Sequence, residues 1–290
     1  MLVNSPAAMP RQLPLLPASD ACLRWRDQRV IWRYRHAAGE TFVPTGFEVG
    51  PVGRSEAADF LRQHHYLPTL PANRFRFGLL RGTELVGVAV FGLGMPHTLR
   101  ALFPDLEPAA ESLVLDRFAL LDDVKALGET WFLARVFALL RADGVEAVAT
   151  FSDPWPRRDR HGRTVHVGHI GTVFQAASAI YTGLSRRETF HQLHETGELV
   201  HRRALSKVRN GERSSGYVEA LLRRAGAPTR WPGEATGAWL ERVLPLVSSP
   251  YVHGGCHRYA FLIGRHRRRV RIAAVAHAYP KQRLRVDGSC

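Results

Sequence analysis

The stretch Val145-Glu146-Ala147-Val148-Ala149-Thr150-Phe151 is followed directly by Ser152-Asp153-Pro154. Its residues are almost all apolar, small or β-branched, which is typical of a strand buried on both faces of a sheet. In α/β proteins, functional polar residues are common where such a strand ends. The stretch therefore predicts a central strand with Asp153 at its carboxyl end.

The segments before and after this strand alternate between strand and helix patterns. Strand patterns occur at residues 30–34, 75–80, 85–91 and 112–120. Helix patterns occur at residues 54–66, 129–141, 171–180, 205–209, 217–225 and 236–246. A terminal pair of strands is predicted at 258–264 and 270–276. The helix at 129–141 is apolar on nearly all sides, so we expect it to be buried.

This order of elements predicts an α/β protein of the α+β kind, in which helices flank a mixed β-sheet. We expect three parts along the chain. Residues 1–28 are rich in proline and form an irregular arm. Residues 29–195 form the main α/β domain, and residues 196–290 form a basic extension that packs on it.

The composition is that of a folded protein, but its charge is unevenly distributed. Of the 290 residues, 45% are hydrophobic and 23% are charged, which excludes a disordered tail or a fibre. Residues 1–156 carry 16 basic and 17 acidic side chains, whereas residues 157–290 carry 24 and 9. A GC-rich genome would explain why almost all of the cations are arginines, but not where they lie. The second half therefore predicts contact with a nucleic acid, DNA or RNA.

Cysteine usage and hydropathy indicate a protein of the cytoplasm. The three cysteines, Cys22, Cys256 and Cys290, are far apart and form neither a disulfide framework nor a C-x-x-C metal motif. No apolar run reaches the length of a membrane span, and the N-terminal residues lack the pattern of a signal peptide. We therefore expect a cytoplasmic protein with no membrane partner.

A series of short motifs runs in order along the chain. They are His65-Tyr66, Leu115-Asp116-Arg117-Phe118, Glu129-Thr130-Trp131-Phe132-Leu133-Ala134-Arg135, Phe151-Ser152-Asp153-Pro154, Gly168-His169-Ile170-Gly171-Thr172, Tyr181-Thr182-Gly183, His257-Arg258-Tyr259 and Tyr279-Pro280-Lys281. This series resembles the Mom DNA-modification proteins of phages over roughly residues 55–285. That family has an acyltransferase-like GNAT fold, so the resemblance implies that residues 29–195 are a GNAT-like catalytic domain and that the extension at 196–290 contacts DNA.

The resemblance implies an enzyme that modifies the N6 amine of adenine in double-stranded DNA. The added group would be of the carbamoyl-methyl type and would protect the DNA from restriction. Such an enzyme must hold phosphates, which agrees with the basic second half of the chain. It must also bring the adenine out of the duplex, as other base-modifying enzymes do.

The resemblance and the residue types together point to five candidate catalytic residues. Asp153 would orient or deprotonate the amine, although an Asx turn before Pro154 would also explain it. His169 would act as a base or a metal ligand, or simply bond the backbone of its loop. Tyr66 and Tyr181 would stack on the base or donate from the phenol, or else pack. Arg117 needs an acidic partner, such as Asp116 or Glu129, or a phosphate.

One residue departs from the family pattern in a way that bears on these roles. Where the family usually has a tyrosine after Gly-Thr, this chain has Phe174. Any duty of that phenol is therefore absent here or falls to another residue, such as Tyr181.

The cofactor is unknown from the sequence, although analogy with the fold would allow acetyl-CoA. Its pyrophosphate would lie at the start of the helix at 129–141, near Gly128, Glu129 and Thr130. That start offers one glycine, Glu129 would repel an anion, and Thr130 would also serve as a helix cap. His253, Cys256 and His257 are possible metal ligands, but we expect no metal site, because adjacent Cys256 and His257 cannot easily face one ion.

DNA phosphates are expected to contact two groups of arginines. The first group is Arg157, Arg158, Arg160 and Arg163, and the second is Arg265, Arg267, Arg268 and Arg269. Two other functions remain open at this point. One is an acyl-CoA-dependent N-acyltransferase that acts on a small amine or RNA, and the other is a non-catalytic DNA-binding relative.

Overall fold

The computed structural model describes residues 21–24, 33–36, 42–125, 127–166, 168–264 and 270–281. Its strands are β1 Ala21–Arg24, β2 Arg33–His36, β3 Phe47–Pro51, β4 Phe75–Arg81, β5 Glu84–Gly92, β6 Ser112–Leu120, β7 Ala147–Ser152, β8 Arg157–Arg158, β9 Thr164–His166, β10 Ile180–Leu184, β11 Glu188–Leu193, β12 Leu199–His201, β13 Ser248–His253 and β14 His257–Leu262. Its helices are α1 Arg54–His64, α2 Pro96–Leu102, α3 Gly128–Ala142, α4 Thr172–Ala176, α5 Arg202–Arg209, α6 Gly216–Arg224 and α7 Thr236–Val247. Within these ranges, each helix is too short or too polar to cross a lipid bilayer.

The chain divides into two compact units. The first unit contains Met1–Ser152, His169–Gly183 and His257–Cys290, and the second contains Asp153–Gly168 and Leu184–Cys256. The expected boundary at residue 195 therefore falls inside the second unit. The expected C-terminal extension is split between the units, because its strand β14 pairs with β7 in the sheet of the first.

The first unit is built on a seven-stranded mixed sheet, which confirms the predicted fold class. The strand order is β10-β14-β7-β6-β5-β4-β3. Strands β6 and β7 are parallel, whereas β3, β4, β5 and β6 pair successively as antiparallel neighbours. Strand β7, which comes from the apolar stretch at 145–151, is thus a central strand with β14 and β6 as its neighbours.

Alternation along the strands divides the apolar side chains between the two faces of this sheet. In β5, Val88 and Val90 pack with α1, whereas Ala89 and Phe91 belong to the core on the other face. That second core contains the buried side of α3, including Phe132 and Leu133. The period of two along a strand places successive side chains on opposite faces, so both faces of the sheet are covered.

The second unit has its own sheet and its own core. Strands β12, β11 and β13 form an antiparallel sheet in that order. Helices α5, α6 and α7 enclose an apolar core around Trp239, which is fully buried. The indole nitrogen of Trp239 donates to the carbonyl of Pro228 at 2.7 Å, so the polar atom of this side chain is satisfied.

Most of the predicted elements are present, with two corrections. The predicted strand at 112–120 coincides with β6, and the predicted hairpin is β4 and β5. The helix predicted at 171–180 is wrong beyond Ala176, because β10 begins at Ile180. The terminal strand pair is also wrong, because β14 pairs with β7 and residues 270–276 form no strand. Most of the predicted arm and of the strand at 30–34 lies outside the described residues, although 21–24 and 33–36 form strands.

The burial of α3 predicts different effects for two leucines on the same helix. Leu133 is fully buried and Leu139 is 36% exposed. Leu133→Ala should lower the free energy of unfolding by about 2–5 kcal/mol, because the cavity left in a packed core adds to the lost apolar burial. Leu139→Ala should cost less than about 1 kcal/mol. Urea unfolding followed by circular dichroism measures both, and equal losses would contradict the placement of α3.

Candidate active site

A cavity of about 140 Å³ opens in the first unit where β6 and β7 stop pairing. The parallel register runs from Ser112 opposite Ala147 to Leu115 opposite Thr150 and ends there. The hydroxyl of Thr150 donates to the carbonyl of Leu115 at 3.0 Å, which closes the last pair with a side chain. The residues that follow on both strands, Asp116 and Phe151, line the cavity.

Asp116 occupies an irregular position on β6. Opposite β5, Val90 faces Arg117 and Phe91 faces Leu115, so Asp116 is the extra residue of a β-bulge. Bulges of this kind redirect a side chain and are common beside active sites. Gly92 on β5 leaves room for the carboxylate, because a Cβ atom there would collide with Oδ2 of Asp116.

The environment of Asp116 makes its carboxyl group a base suited to neutral pH. Burial raises the pKa of Asp116 to about 6, and the neighbouring charge of Arg117 offsets only part of this effect. A carboxyl group with this pKa is ionised at pH 7 and still accepts a proton more readily than an exposed aspartate. Sequence reasoning treated Asp116 only as a possible partner of Arg117. A carboxylate within an otherwise apolar strand was the signal that could have identified it.

Tyr66 and His169 meet at the same cavity, although 103 positions separate them in the chain. The phenol oxygen of Tyr66 lies 3.2 Å from Nε2 of His169, within hydrogen-bonding distance. The ring of His65 stacks on that of Tyr66 at 4.5 Å, and Nδ1 of His65 accepts a hydrogen bond from the amide of Leu67. These contacts hold the phenol at the end of α1, facing the loop that carries His169.

Gly171 fixes the path of the loop after His169. Its φ is +73°, a left-handed conformation that favours glycine, and it caps α4. A Cβ atom at Gly171 would lie 2.9 Å from the rings of Phe174 and Tyr259. Phe174 lines the cavity at the position where the family pattern has a phenol, so the phenol of this cavity comes from Tyr66 instead.

Two other predicted catalytic residues of the first unit, Tyr181 and Arg117, do not line the cavity. Tyr181 is buried, does not line the cavity, and has its hydroxyl 2.7 Å from Nδ1 of His257. Burial raises its pKa. Arg117 donates to the backbone carbonyls of Thr69 and Asp116, at 3.2 and 2.8 Å. The structure thus brings together Tyr66 and His169, and the charge of Arg117 acts on both Tyr66 and Asp116, whereas Tyr181 contacts His257.

The start of α3 does not fit the pyrophosphate of acetyl-CoA. A Cβ atom at Gly128 would lie 2.6 Å from Val124, so this glycine permits close packing and does not form an open cradle. The side chain of Thr130 donates to the carbonyl of Leu127 at 3.0 Å. Glu129 lines the cavity and would add a negative charge beside any anion.

Asp153 belongs to the second unit, where both of its oxygens have partners. Oδ1 lies 3.1 Å from Nε2 of His253 and accepts a hydrogen bond from the amide of Trp155. Oδ2 forms an ion pair with Arg157 and lies 3.4 Å from Nε2 of His166. The Asx contact predicted as an alternative is therefore present, within a larger network.

This network makes Asp153 a weak proton acceptor. Burial disfavours its ionised form, but the hydrogen bond from His253 and the charges of His166 and Arg157 outweigh that effect. The pKa of Asp153 therefore lies well below its usual range. A carboxylate of this kind stabilises its surroundings more readily than it removes a proton.

The same network contains the residues that could hold a metal ion. In the described part of the chain, ligand atoms of Asp153, His253 and Cys256 lie within 4.8 Å of one another. Burial, with the charge of Asp153, raises the pKa of the Cys256 thiol to about 12, so the thiol is protonated. Of the three possible ligands considered from the sequence, His253 and Cys256 belong to this group, whereas His257 contacts Tyr181 in the first unit.

The arginines expected to contact DNA differ in their surroundings. Arg157 is buried against Asp153. The other three of the first group are exposed and have these partners: Arg158 donates to the carbonyl of Gly162 at 3.0 Å, Arg160 pairs with Glu195 at 2.6 Å, and Arg163 pairs with Asp159 at 2.6 Å. Arg265, Arg267, Arg268 and Arg269 lie outside the described residues.

The Asp153 network predicts a large loss of stability when its carboxylate is neutralised. Asp153→Asn leaves Arg157 buried without its counter-charge, so the free energy of unfolding should fall by about 3–5 kcal/mol. The stabilisation should be present above about pH 4 and lost at strongly acidic pH, because the folded-state pKa is lowered. Urea unfolding at pH 7 measures the effect.

A matched control is the exposed pair of Arg62 and Asp59, in which the carboxylate side chain is 49% exposed. Asp59→Asn should change the free energy of unfolding by about 0–1 kcal/mol. If the Asp153→Asn protein were as stable as the Asp59→Asn protein, the contacts of Asp153 would not contribute the proposed 3–5 kcal/mol to the free energy of unfolding, about the cost of breaking a buried ion pair.

Comparisons with known proteins give one family and several distant structures. A model described as the Mom protein family matches residues 46–281. A search of curated proteins found no match.

Three solved structures are similar to this chain in part. The first is an acetyltransferase of Bacillus subtilis in complex with CoA, with 10% identity over 74% of this chain and 96% of that chain and a TM-score of 0.33. The second is a tandem GNAT protein from the clavulanic acid biosynthesis pathway, with 9% identity over 75% and 99% and a TM-score of 0.41. The third is an acetyltransferase from Thermus thermophilus, with 20% identity over 50% and 93% and a TM-score of 0.31.

The family match includes every element that lines the cavity. It contains the end of α1, both diverging strands and the loop that carries His169. Because the match spans most of the chain, the protein belongs to the Mom protein family.

Proposed function

We propose that this protein is a transferase that modifies the N6 amine of adenine in double-stranded DNA, and that the cavity of the first unit is its active site. Membership of the Mom family supports the DNA substrate. The observation that supports this choice of site is Asp116, a partly buried carboxyl group among the residues that line the cavity, whose pKa burial raises to about 6. The resemblance described above implies a group of the carbamoyl-methyl type and protection from restriction.

The chemistry at N6 requires removal of a proton. The lone pair of the adenine amine is delocalised into the ring, so the nitrogen is a poor nucleophile. A bond forms between N6 and a carbon of the incoming group, the leaving group departs from that carbon with its bonding electrons, and N6 loses one proton. Asp116 accepts this proton, because its pKa lies near the working pH.

Tyr66 and His169 hold the substrate in this proposal. A phenol and an imidazole at hydrogen-bonding distance from each other offer both donors and acceptors toward the cavity. Aromatic surfaces suit a base that has left the stack, and hydrogen bonds to its edge would distinguish adenine from other bases. The pair is therefore assigned to binding and orientation of the flipped adenine, and Asp116 to proton removal.

Mass spectrometry of nucleosides tests the proposal. DNA from cells that express the protein should contain a modified adenosine, and Asp116→Asn should reduce its amount at least about 100-fold, the usual contribution of a general base. Tyr66→Phe and His169→Gln should also reduce it. Unmodified DNA in cells that contain soluble, folded wild-type protein would contradict the proposed function.

The control separates a chemical role of Asp116 from a structural one. Asp143 is an exposed aspartate that caps the end of α3 in the same unit, so Asp143→Asn should leave the modification unchanged. Because the folded-state pKa of Asp116 is raised, the free energy of unfolding falls as the pH rises from about 4 to about 6 and stays lowered above that. Asp116→Asn should therefore be at least as stable as the wild type at pH 7.5. A modification that persists in stable Asp116→Asn protein would exclude Asp116 as the base.

A further inference from the structure

Helix α5, Arg202–Arg209, carries an unusual concentration of positive charge. Arg202, Arg203, Lys207 and Arg209 lie within its eight residues, which include no acidic side chain. The three arginines are exposed, whereas Leu205 and Val208 are buried in the core of the second unit. At 3.6 residues per turn, the four cations fall within an arc of about 160°, and the two buried side chains lie outside it.

Among the described residues of the second unit, these cations belong to the group that has no carboxylate partner, which also contains Arg158, Arg186, Arg187 and Arg213. Arg160, Arg163, Arg223, Arg224, Arg230 and Arg242 each pair with an aspartate or a glutamate. Among the described residues, no carboxylate oxygen lies within 4.0 Å of the charged nitrogen atoms of the four α5 cations. Their charge is therefore available to an external anion.

His191 on β11 reports the potential that these cations create. Burial lowers the pKa of His191, and the charges of Arg202 and Arg209 lower it further. Both arginines thus act on the same neighbour, as expected for residues seven positions apart on one side of a helix. The positive field extends from α5 over the adjacent strand.

We propose that α5 is the element through which this protein docks on the phosphate backbone of double-stranded DNA. This inference rests on the proposed function for the identity of the polyanion. The stretch from Arg202 to Arg209 is about 10 Å long, and duplex DNA carries one negative charge per about 1.7 Å of its axis. The helix therefore faces several phosphates at once. Guanidinium groups bind phosphate in a bidentate manner, without reading the sequence.

The burial of α5 favours a nucleic acid over a membrane surface. A basic helix that binds lipid inserts an apolar face into the boundary between headgroups and acyl chains. In α5 this face is occupied, because Leu205 and Val208 pack in the same core as Trp239. Only charged and polar side chains are offered to a partner.

The docking helix differs from the arginines that the sequence pointed to. Arg157 is neutralised by Asp153, and Arg160 and Arg163 already pair with carboxylates. Phosphate binding by these residues would first break an existing pair, whereas the α5 cations bind without that cost. Among the described arginines that the sequence pointed to, Arg158 alone has no carboxylate partner, so α5 adds four cations on one side of a helix to the surface available to phosphates.

The salt dependence of DNA binding tests this inference. Fluorescence anisotropy with a labelled duplex gives Kd at a series of salt concentrations, and the slope of log K against log salt counts the phosphates that are contacted. The triple variant R202Q/R203Q/R209Q should reduce the magnitude of this slope by about 3, or about 0.9 for each lost contact. It should also weaken binding at low salt.

Two further variants make the result specific. The triple R223Q/R224Q/R230Q removes the same net charge from arginines that are already paired, so it should keep the wild-type slope. The triple R202K/R203K/R209K retains the charge of α5 and should also keep the slope. Equal losses in the two glutamine triples, or no loss in either, would overturn the assignment of α5.

Comparison with the nucleoside assay separates this inference from the proposed function. If the wild-type protein binds DNA through α5 but leaves adenine unmodified, the docking role of α5 stands and the proposed modification of adenine is wrong. If adenine is modified but R202Q/R203Q/R209Q keeps the wild-type salt slope, the proposed modification stands and the docking role of α5 is wrong.

Discussion

The separation of β6 from β7 after the Leu115–Thr150 pair is the constraint on which the candidate active site depends. If these two parallel strands continued to pair, backbone hydrogen bonds would join them and leave no gap between them. Where pairing stops, the hydroxyl of Thr150 satisfies the carbonyl of Leu115, and the bulge in β6 puts Asp116 among the residues that line the space that opens. The rest of the first unit supports this gap. Helix α3 packs beneath it, and the ends of α1 and the His169 loop close its sides.

The two aspartates of interest show how the surroundings of one side-chain type decide its role. Asp116 is buried with little compensation, so its pKa rises and its carboxylate remains a base. Asp153 is also buried, but histidines and Arg157 surround it, so its pKa falls and its charge stabilises the second unit. When two carboxyl groups of one protein have environments that shift their pKa values in opposite directions, the two groups can take different roles.

Periodicity along the sequence was sufficient for the main elements of the fold. The apolar alternation of residues 85–91 and the apolar stretch before Ser152 correctly indicated β5 and β7, because burial against two faces leaves a regular pattern.

The site was harder to predict. The position of Asp116 depends on a register shift against β5, and the network of Asp153 depends on His166 and His253, which come from distant parts of the chain. No local pattern encodes such contacts. The basic character of α5 was visible in the sequence, but its lack of carboxylate partners required the structure.

The most direct test of this account is the pKa of Asp116 itself. Carbon-detected NMR of the side-chain carboxyl groups follows each aspartate as the pH is changed, and comparison with Asp116→Asn identifies the signal. The account predicts a midpoint near 6 for Asp116. A midpoint near the value of about 3.9 that is typical of an exposed aspartate would show that the carboxylate is well solvated, and it would contradict the assignment of the cavity as a site of proton removal.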